Sequence, residues 1–355
     1  MHKNIIPYLE DLESRILPNE EETLLKEWKN FADGKAGPGI ARPTPFRPAP
    51  RTARPPRISW PEININDAVQ DLDLMIISQL KICHDQLSQG DNRLMGIRAN
   101  YGVGIIPTML GCPVFMMPKE TNSLPNVYHL EGGLSAIRSL AEGTAPDFNR
   151  GWGPKVFEAA EVFREIRETY PVIAAFVRID HPDGQGPVDI SELLWGSDIF
   201  YAFVDEPELV HKLLDFVANF YISFMDRWFA FLPAIDAYHS YFGRLHKGDV
   251  TIRNDSLMNL SPQMHREFAM PYDQRILSHF RGGMVHFCGK GNHFIEGLSA
   301  MKGLYAVDLT QPHLNDMEQI VCHTLDKGIN LHTSQYEGAG KGNHNWGRIS
   351  LEPEI

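Results

Sequence analysis

The run MVHFCGKGNHFIEGLSAMKGLYAVDL, residues 284–309, decides the fold class. An apolar run at 284–287 leads into a segment with helical spacing at 292–300, and a second apolar run follows at 304–309. Short apolar runs that alternate with amphipathic segments are typical of the strands and helices of parallel α/β proteins. This stretch therefore predicts two strands of a parallel sheet with a helix between them.

The same alternation extends from residue 94 to residue 333. Further strand-like runs lie at 94–99, 114–117, 172–179, 250–253 and 329–333, and helix-like segments lie at 153–169, 206–231, 263–280 and 316–327. A closed barrel and an open doubly wound sheet both fit this order. No GxGxxG motif follows the first strand, which disfavours the open dinucleotide-binding sheet and predicts no nucleotide cofactor. We therefore predict an α/β fold of the (β/α)₈ TIM-barrel type.

The first 65 residues form an N-terminal extension with a different composition. Residues 5–33 have helical spacing, whereas the segment after Gly34 is rich in proline, which fixes φ and lacks an amide donor. We predict that this segment is an extended arm that wraps the main domain or reaches a second subunit in a homodimer. Helix resumes at 66–90, with Asn66 as the expected N-cap and Gly90 as the stop. The predicted domains are 1–65, helix plus proline-rich arm, and 66–355, the barrel.

Composition excludes several functional classes. The 355 residues carry a formal net charge of −12 and are 43% hydrophobic, which allows a large core and disfavours nucleic acid as a partner. The apolar runs are too short to cross a membrane and the N-terminal residues do not resemble a secretory signal, so we expect a cytoplasmic protein. The four cysteines are widely spaced, which argues against a disulfide framework. The arm also contains five arginines that could bind an anion or simply be solvated: Arg42, Arg47, Arg51, Arg54 and Arg57.

Polar side chains recur where the strand-like runs end. In a barrel, the C-terminal ends of the strands carry the catalytic groups, so these side chains are candidates for a site that binds a small-molecule substrate. In chain order they are Arg98, Asn100, Arg178, Asp180, His181, Asn254, Asp255, His286, Cys288, Lys290, Asp308, Gln311, His332 and Gln335.

The pair His286 and Cys288 is the most specific feature of this set. Residues two apart in a strand project to the same face, so the imidazole and the thiolate would point together into the barrel mouth. Zinc binds nitrogen and sulfur donors, and catalytic zinc usually keeps three protein ligands and one open position. A buried cysteine beside a hydrogen-bonded histidine is the alternative explanation. We predict that the pair binds zinc.

Four residues are candidates for the third ligand. His332 closes the strand-like run 329–333 and is the preferred candidate, whereas the carboxylates of Asp255, Asp308 and Glu337 are open alternatives. Cys322 is expected to lie on the outer layer, too far away, and His344 is expected at the surface.

Arg98 is the candidate for holding an anionic substrate. It ends the first strand-like run and could hold a carboxylate or a phosphate through two parallel hydrogen bonds. An ion pair with a structural acid is an equally good explanation. Asn100, Tyr101, Asp308 and Gln311 are predicted to contact the same substrate.

Four segments together resemble a known family. They are residues 94–104, the segments GPVDI at 186–190 and DEPELV at 205–210, the stretch from Asn254-Asp255 through LSP at 260–262 to MPY at 270–272, and HFCG at 286–289. In this combination they resemble the uroporphyrinogen decarboxylase superfamily. Its members include porphyrinogen decarboxylases and zinc enzymes that transfer methyl groups from corrinoid proteins to thiols. The resemblance covers about residues 90–335 and implies a TIM barrel.

Departures from the family pattern bear on the choice of branch. Porphyrinogen decarboxylases carry a second arginine where this chain has Val103, and an aspartate for the pyrrole nitrogens where it has MMPK at 116–119. The methyltransferases take a zinc ligand from a late cysteine that has no counterpart here. The third ligand is therefore expected to differ or to be absent.

Three functions remain open on this basis. The first is zinc-assisted transfer of a methyl or other one-carbon group to a thiol, with a corrinoid protein as a partner and Asp255 assisting at the site. The second is decarboxylation of a porphyrinogen-like or other carboxylated substrate, in which Arg98 holds a carboxylate and Asp255 or His181 moves protons. The third is a non-catalytic barrel that only binds a ligand.

Overall fold

The computed structural model describes residues 3–35, 44–143 and 146–352. The α-helices are α1 Ile6–Arg15, α2 Pro18–Ala32, α3 Ile65–Ala68, α4 Leu72–Gln89, α5 Ile105–Met109, α6 Gly133–Ala141, α7 Gly153–Thr169, α8 Pro171–Phe176, α9 Pro187–Trp195, α10 Ile199–Asp205, α11 Pro207–Phe231, α12 Pro262–Met264, α13 Met270–His279, α14 Ile295–Leu298 and α15 Met317–His323. The strands are β1 Met95–Ile97, β2 Val114–Phe115, β3 Asn126–Val127, β4 Val177–Ile179, β5 Tyr238–Tyr241, β6 Arg244–Lys247, β7 Val250–Arg253, β8 Gly283–Phe287, β9 Leu304–Leu309, β10 Asn330–Ser334 and β11 Ile349–Glu352.

Five parallel strands form the main sheet, in the order β11, β10, β9, β8 and β7. Their register aligns one residue of each strand in a single row, which consists of Arg253, His286, Asp308, His332 and Ser350. Residues paired across parallel strands project to the same face, so these five side chains share one face of the sheet. The strands themselves are buried, in keeping with their nearly continuous apolar sequences.

A second parallel pair lies beside the main sheet. It consists of β1 and β4, and the chain after β4 reaches the edge strand β7 at Gln185, which bridges in parallel to Arg253. The short strands β2 and β3 pair antiparallel, so the run predicted at 114–117 does not join the main sheet. The predicted α/β class with a parallel sheet is confirmed, and the closed eight-stranded barrel stays a prediction.

A β-hairpin that the sequence did not predict packs against the main sheet. Strands β5 and β6 pair antiparallel, and β6 contacts β8 and β9. The two residues at its tip, Phe242 and Gly243, have φ of +48° and +77°, as a tight two-residue hairpin turn requires. Both faces of this hairpin are largely buried, so its sequence lacks the alternation by which a half-exposed strand is identified.

The described part of the N-terminal extension packs on its own chain. Apolar residues of α1 belong to the main core, which favours wrapping over contact with a second subunit for these residues. Along the arm, the ring of Phe46 stacks on Phe31 of α2 with centroids 4.5 Å apart. The amide of Phe46 donates to the carbonyl of Ile349, so the arm covers the outer edge of β11. The domain boundary at residue 65 stays a prediction.

Two arginines of the arm form ion pairs with helix α2. Arg51 donates to both carboxylate oxygens of Glu21, at 2.6 and 2.9 Å, and both side chains are buried. Arg54 pairs with Glu20 of the same helix. These contacts explain two of the five arginines as structural, whereas Arg42 lies outside the described residues.

The strand predicted at 172–179 is wrong over most of its length. Residues Pro171–Phe176 form α8, and only Val177–Ile179 is a strand. Proline suits the first position of a helix, and the carboxylate of Glu13 accepts the amide of Val172 at 2.9 Å, which satisfies a donor at the helix start. A short apolar run carries no periodicity that separates the two structures.

The other predicted elements differ mainly at their boundaries. The strands predicted at 250–253 and 304–309 are observed with those bounds, and the helical run 5–33 is interrupted before Pro18. Asn64 and Asp71 cap the helices near residue 66, so the N-cap predicted at Asn66 is wrong. Gly90 ends α4 as predicted, with a φ of +74°. Among the described residues, no helix has the length and apolar character needed to span a membrane.

Candidate metal centre

His286 and Cys288 lie together where β8 ends, as the alternation of side chains predicts. The Sγ of Cys288 is 3.5 Å from Nε2 of His286. Asp255, in the turn after the neighbouring strand β7, brings its Oδ1 to 3.3 Å from the same nitrogen. One donor atom from each of the three residues lies within 4.8 Å of the other two. Nitrogen, sulfur and carboxylate oxygen are the donors that zinc accepts in proteins.

His286 is oriented by Asp308 of the next strand, β9. The Nδ1 of His286 lies 2.5 Å from Oδ2 of Asp308, and Oδ1 of Asp308 accepts a hydrogen bond from Arg244 at 2.8 Å. An ionised carboxylate can only accept, so Nδ1 of His286 carries a proton, and in the neutral ring Nε2 is left with the lone pair. That lone pair points toward Asp255 and Cys288. Metal-binding histidines commonly have such a carboxylate on the other ring nitrogen.

The turn that carries Asp255 is held by Asp189, in the first turn of α9. The carboxylate of Asp189 accepts the amide of Asp255 at 2.7 Å and that of Ser256 at 2.9 Å. Asp255 in turn accepts the amide of Cys288 at 3.0 Å. Burial, together with the charge of Asp255, raises the pKa of Asp189 to about 8. The position of Asp255 therefore depends on a buried contact with a distant helix.

A tight turn follows Cys288 and fixes its direction. Gly289 has a φ of +76°, a backbone conformation that favours glycine, and a Cβ there would also push the flexible side chain of Met258 aside. Gln311 accepts the amide of Gly289 at 2.7 Å, and Asn315 donates to its carbonyl at 2.9 Å. Gln311, predicted to contact substrate, thus uses its carbonyl oxygen to hold this turn.

The surrounding charges raise the pKa of His286. Burial alone would lower the pKa of His286, but its hydrogen bonds with Asp255 and Asp308 outweigh burial and raise that pKa well above the ordinary value. Burial would raise the pKa of Asp308, yet Arg244 and His286 hold it well below its usual range. The pKa of Asp255 is lowered in the same way, against burial, by His286 and Arg253. At neutral pH the imidazole therefore lies between two ionised carboxylates.

This arrangement suits two kinds of chemistry. Asp255, His286 and Cys288 can together bind a divalent cation. Alternatively, a protonated His286 can stabilise the thiolate of Cys288 as a nucleophile, with Asp308 orienting the ring as in a Cys–His–Asp triad. The carboxylate of Asp255 separates the two possibilities, because it attracts a cation at this point and repels a thiolate.

The structure brings Asp255, and not His332, to the pair. His332 lies two strands away in the same row, fully buried, with its ring against Phe31 at 5.4 Å and Trp28 at 6.3 Å. Both of its ring nitrogens lack a hydrogen-bond partner among the described residues, and burial lowers its pKa well below the ordinary value. Asp255, one of the alternative third ligands, therefore lies where His332 was expected, and the prediction of His332 as the third ligand is wrong.

His181, predicted to move protons, has both ring nitrogens engaged by the backbone. Its Nδ1 lies 2.6 Å from the carbonyl of Pro182, and its Nε2 accepts the amide of Thr251 at 2.9 Å. The ring stacks on His239 with centroids 4.4 Å apart, and burial lowers the pKa of His181 to about 4. A histidine without a free lone pair cannot act as a general base, so the catalytic role predicted for His181 finds no support.

Arg98 is held only loosely. Its Nη1 is 4.0 Å from Oδ2 of Asp183, whereas Arg253 binds the same carboxylate at 2.5 Å. The guanidinium of Arg98 lies over the ring of Phe242, 4.8 Å from the centroid. Arg98 therefore keeps hydrogen-bond donors that could bind a carboxylated ligand.

Asn100 and Tyr101, two of the four residues predicted to contact the same substrate as Arg98, differ in environment. The buried Oδ1 of Asn100 has no hydrogen-bond partner among the described residues. Arg98 and Asn100 line a cavity of about 110 Å³ together with Asp180. Tyr101 is 1% exposed and stacks on Trp152, which makes it a core residue rather than a ligand-binding one.

Arg244 and Asp189 also belong to the site, but the sequence predicts no role for either of them. Arg244 comes from the hairpin β5–β6, which has no clear sequence signal. Asp189 lies within the segment 186–190, but no role was predicted for it. An isolated acid between apolar residues, as in PVDISELL at 187–194, was an available signal, because a buried carboxylate needs partners.

No protein-family model and no curated protein matches this chain. The resemblance to the uroporphyrinogen decarboxylase superfamily therefore stays a prediction. Segments that carry the resemblance do meet in space, since 186–190 supplies Asp189, the turn after β7 supplies Asp255, and 286–289 supplies the histidine and the cysteine.

Proposed function

We propose that Asp255, His286 and Cys288 hold a zinc ion and that the protein is an enzyme that transfers a methyl or other one-carbon group to a thiol. The observation that carries this proposal is the contact of His286 Nδ1 with Asp308, which directs Nε2 at the carboxylate and the sulfur. Three protein donors would leave the fourth position of a tetrahedral ion open, as in catalytic rather than structural sites.

The charge balance favours a cation over a free nucleophilic cysteine. Asp255 and Asp308 are both ionised at neutral pH, and Arg244 pairs with Asp308 and Glu352. Arg253 is 3.8 Å from Asp255 but pairs more closely with Asp183, at 2.5 Å. A thiolate at Cys288 would add a third negative charge beside Asp255, at an unfavourable Coulomb cost in a partly buried site. A bound divalent cation would instead compensate both the thiolate and Asp255.

In this scheme the residues of the chain position the proposed zinc ligands and balance their charges. Asp308 and Arg244 fix the imidazole of His286, and Asp189 fixes the turn of Asp255. A zinc ion held by these residues would supply the charge that keeps a bound thiol deprotonated and nucleophilic at neutral pH. The acceptor sulfur would form its bond to the methyl carbon as the bond between that carbon and the donor breaks, and the electron pair would stay on the donor.

The finer fold and the donor belong to the same proposal. We infer that the main sheet, the pair β1–β4 and the bridge at Gln185 are parts of one (β/α)₈ barrel of the uroporphyrinogen decarboxylase type. A corrinoid protein is then the proposed methyl donor and a cytoplasmic location is proposed with it. The resemblance of the segments that meet around Asp255 and Cys288 supports the proposed barrel and the proposed methyl donor.

A second candidate function is decarboxylation, which the loose ion pair of Arg98 favours. Arg98, the unpartnered Asn100 oxygen and the adjacent cavity of about 110 Å³ could hold a carboxylate. Replacement of Arg98 by alanine would then weaken binding of a carboxylated ligand about tenfold to a hundredfold, because a charge-assisted bidentate contact contributes about 1.5–3 kcal/mol. The same change would leave bound zinc in place.

The test is the metal content of the full-length chain, loaded with zinc, desalted and measured by atomic emission. We expect Asp255→Asn and the double variant His286→Ala/Cys288→Ala each to lose one zinc per chain relative to wild type. Cys112→Ala and His279→Ala remove the same side chains elsewhere and serve as controls that keep it. Full zinc retention by the double variant would overturn the proposal.

The transferase activity is tested with methylcobalamin as donor and mercaptoethanol as acceptor, followed by the absorbance change on demethylation. We expect zinc-dependent turnover that Cys288→Ala abolishes and Arg98→Ala reduces far less. Turnover of a carboxylated substrate that survives loss of Cys288 but not of Arg98 would place the decarboxylase first.

A further inference from the structure

A second cluster of cysteine, histidine and carboxylates lies between α15 and the connection from β10 to β11. Glu318 and Cys322 are one turn apart on α15, and His344 belongs to the connection. One donor atom from each lies within 4.8 Å of the other two. Asp326, in the 3₁₀ turn Leu325–Lys327, contacts the same histidine. We name these four residues the surface cluster.

The surface cluster repeats the geometry of the first centre. Nδ1 of His344 lies 2.8 Å from Oδ2 of Asp326, and Nε2 lies 3.1 Å from Oε1 of Glu318. At the first centre, His286 meets one aspartate through Nδ1 and faces a carboxylate and a cysteine through Nε2. In both places an aspartate can hold the proton on Nδ1, so that Nε2 is free to bind a cation.

The position of His344 is fixed by contacts that do not involve its acidic partners. Its side chain is 10% exposed, although that of Glu318 is 73% exposed. Its ring meets Trp346 edge-on, with centroids 5.6 Å apart, and Trp346 is itself buried. Gly340 and Gly342 have φ of +83° and +79°, so the turn that delivers His344 uses conformations that suit glycine.

The surface cluster carries more negative charge than its described neighbours neutralise. In the part of the chain that the structure describes, Glu318 and Asp326 pair with His344 and with no lysine or arginine. A protonated His344 supplies one positive charge against two carboxylates. A divalent cation would compensate the carboxylates and a thiolate of Cys322 together, and it would take the place of the proton on Nε2.

We propose that Glu318, Cys322 and His344 form a second site, for a borderline-soft divalent cation such as zinc, with Asp326 orienting the histidine. Such a cation joins α15 to the connection that precedes β11, and so it stabilises the edge of the main sheet. The donor atoms lie on one turn of helix and one loop, at the surface and apart from the residues of the first centre. The site is therefore independent of the function proposed for His286.

The experiment uses cobalt(II) as the probe on the full-length, metal-stripped protein. A bond between cobalt and thiolate absorbs in the near ultraviolet, so the titration reports sulfur ligation directly. We expect two cobalt ions per wild-type chain. The Cys288→Ser variant should keep one thiolate-bound cobalt, and the further change Cys322→Ser should remove it.

The histidine provides a matched comparison. His344→Gln, made in the Cys288→Ser protein, should weaken cobalt binding at least about tenfold, since loss of even an outer partner of a metal ligand costs that much. His323→Gln, which alters a neighbouring helix residue outside the surface cluster, should bind normally.

Two results would overturn the second site. One is that Cys288→Ser alone removes all cobalt–thiolate absorption, and the other is that His344→Gln binds as tightly as His323→Gln. If instead the first centre binds no cobalt, wild type and Cys288→Ser should show the same cobalt–thiolate absorption, and Cys322→Ser should remove it.

Discussion

Replacement of Asp308 by asparagine tests the core of the proposed centre. The carboxylate of Asp308 joins two charged partners, His286 at 2.5 Å and Arg244 at 2.8 Å. Asparagine keeps the size and one carbonyl oxygen, but it removes the negative charge and adds two donors. The change therefore disturbs the orientation and the basicity of His286 while all three proposed zinc ligands remain.

The expected loss of stability in Asp308→Asn follows from these two contacts. A hydrogen bond to a charged group contributes about 1.5–3 kcal/mol and a neutral one about 1 kcal/mol, so each weakened contact costs about 0.5–2 kcal/mol and the two together lower the free energy of unfolding by about 1–4 kcal/mol. Arg244 keeps Glu352 at 3.3 Å, which limits the cost of its unpaired charge. Zinc affinity should fall about tenfold to a hundredfold, as for other losses of a partner behind a metal-binding histidine.

Both quantities are measured on the same protein. Urea unfolding of the metal-free form gives the free energy of unfolding, and competition with a chromophoric chelator gives the zinc affinity of the folded form. Asp236→Asn is the control, since Asp236 also pairs with an arginine, Arg178 at 2.9 Å, and with Lys29. Folded Asp308→Asn protein that binds zinc as tightly as wild type would refute the orienting role of this carboxylate.

Three further expectations follow from contacts in and around the site. Zinc affinity should rise about tenfold per pH unit for each proton displaced, at pH values below the raised pKa of His286, because the metal must replace the proton on Nε2; a flat profile between pH 6 and 8, measured by chelator competition, would contradict this. Asp189→Asn should leave the backbone amide of either Asp255 or Ser256 without an acceptor. Urea unfolding should then show that the free energy of unfolding falls by about 1–3 kcal/mol, and zinc affinity should fall as well. Arg51→Ala should destabilise the protein by about 3–5 kcal/mol in the same assay, since it leaves Glu21 buried and uncompensated, whereas the double change of both residues to alanine should cost less than the single one.

The strands of the main sheet could be predicted because burial on both faces leaves a continuous apolar run. The runs at 250–253 and 304–309 are of this kind, and both are strands with those bounds. The run at 172–179 is equally apolar, but its first part is helical because Pro171 and the carboxylate of Glu13 start a helix there. That contact joins residues far apart in the chain, so no local pattern contains it.

Only the two residues of the candidate centre that belong to one strand segment could be predicted from the sequence. His286 and Cys288 belong to a single segment, and the alternation of a strand brings their side chains together. The third donor comes from a turn whose position is set by Asp189 on another helix. The sequence favours His332 as the third ligand because it ends a strand-like run, whereas the register places it two strands from His286.

The contact of Phe46 with β11 also constrains the order in which the chain can fold. The edge strand is covered by a residue that precedes it by most of the sequence, from position 46 to position 350. Closing so long a loop costs entropy that only the assembled sheet and the packing of Phe46 on Phe31 can offset. We therefore expect the arm to dock late, so that the amides and carbonyls of β11 near Ser350 would first be unpaired and could bind a neighbouring chain. Crowded refolding should lose protein to aggregation at this stage, before the arm has closed over the edge.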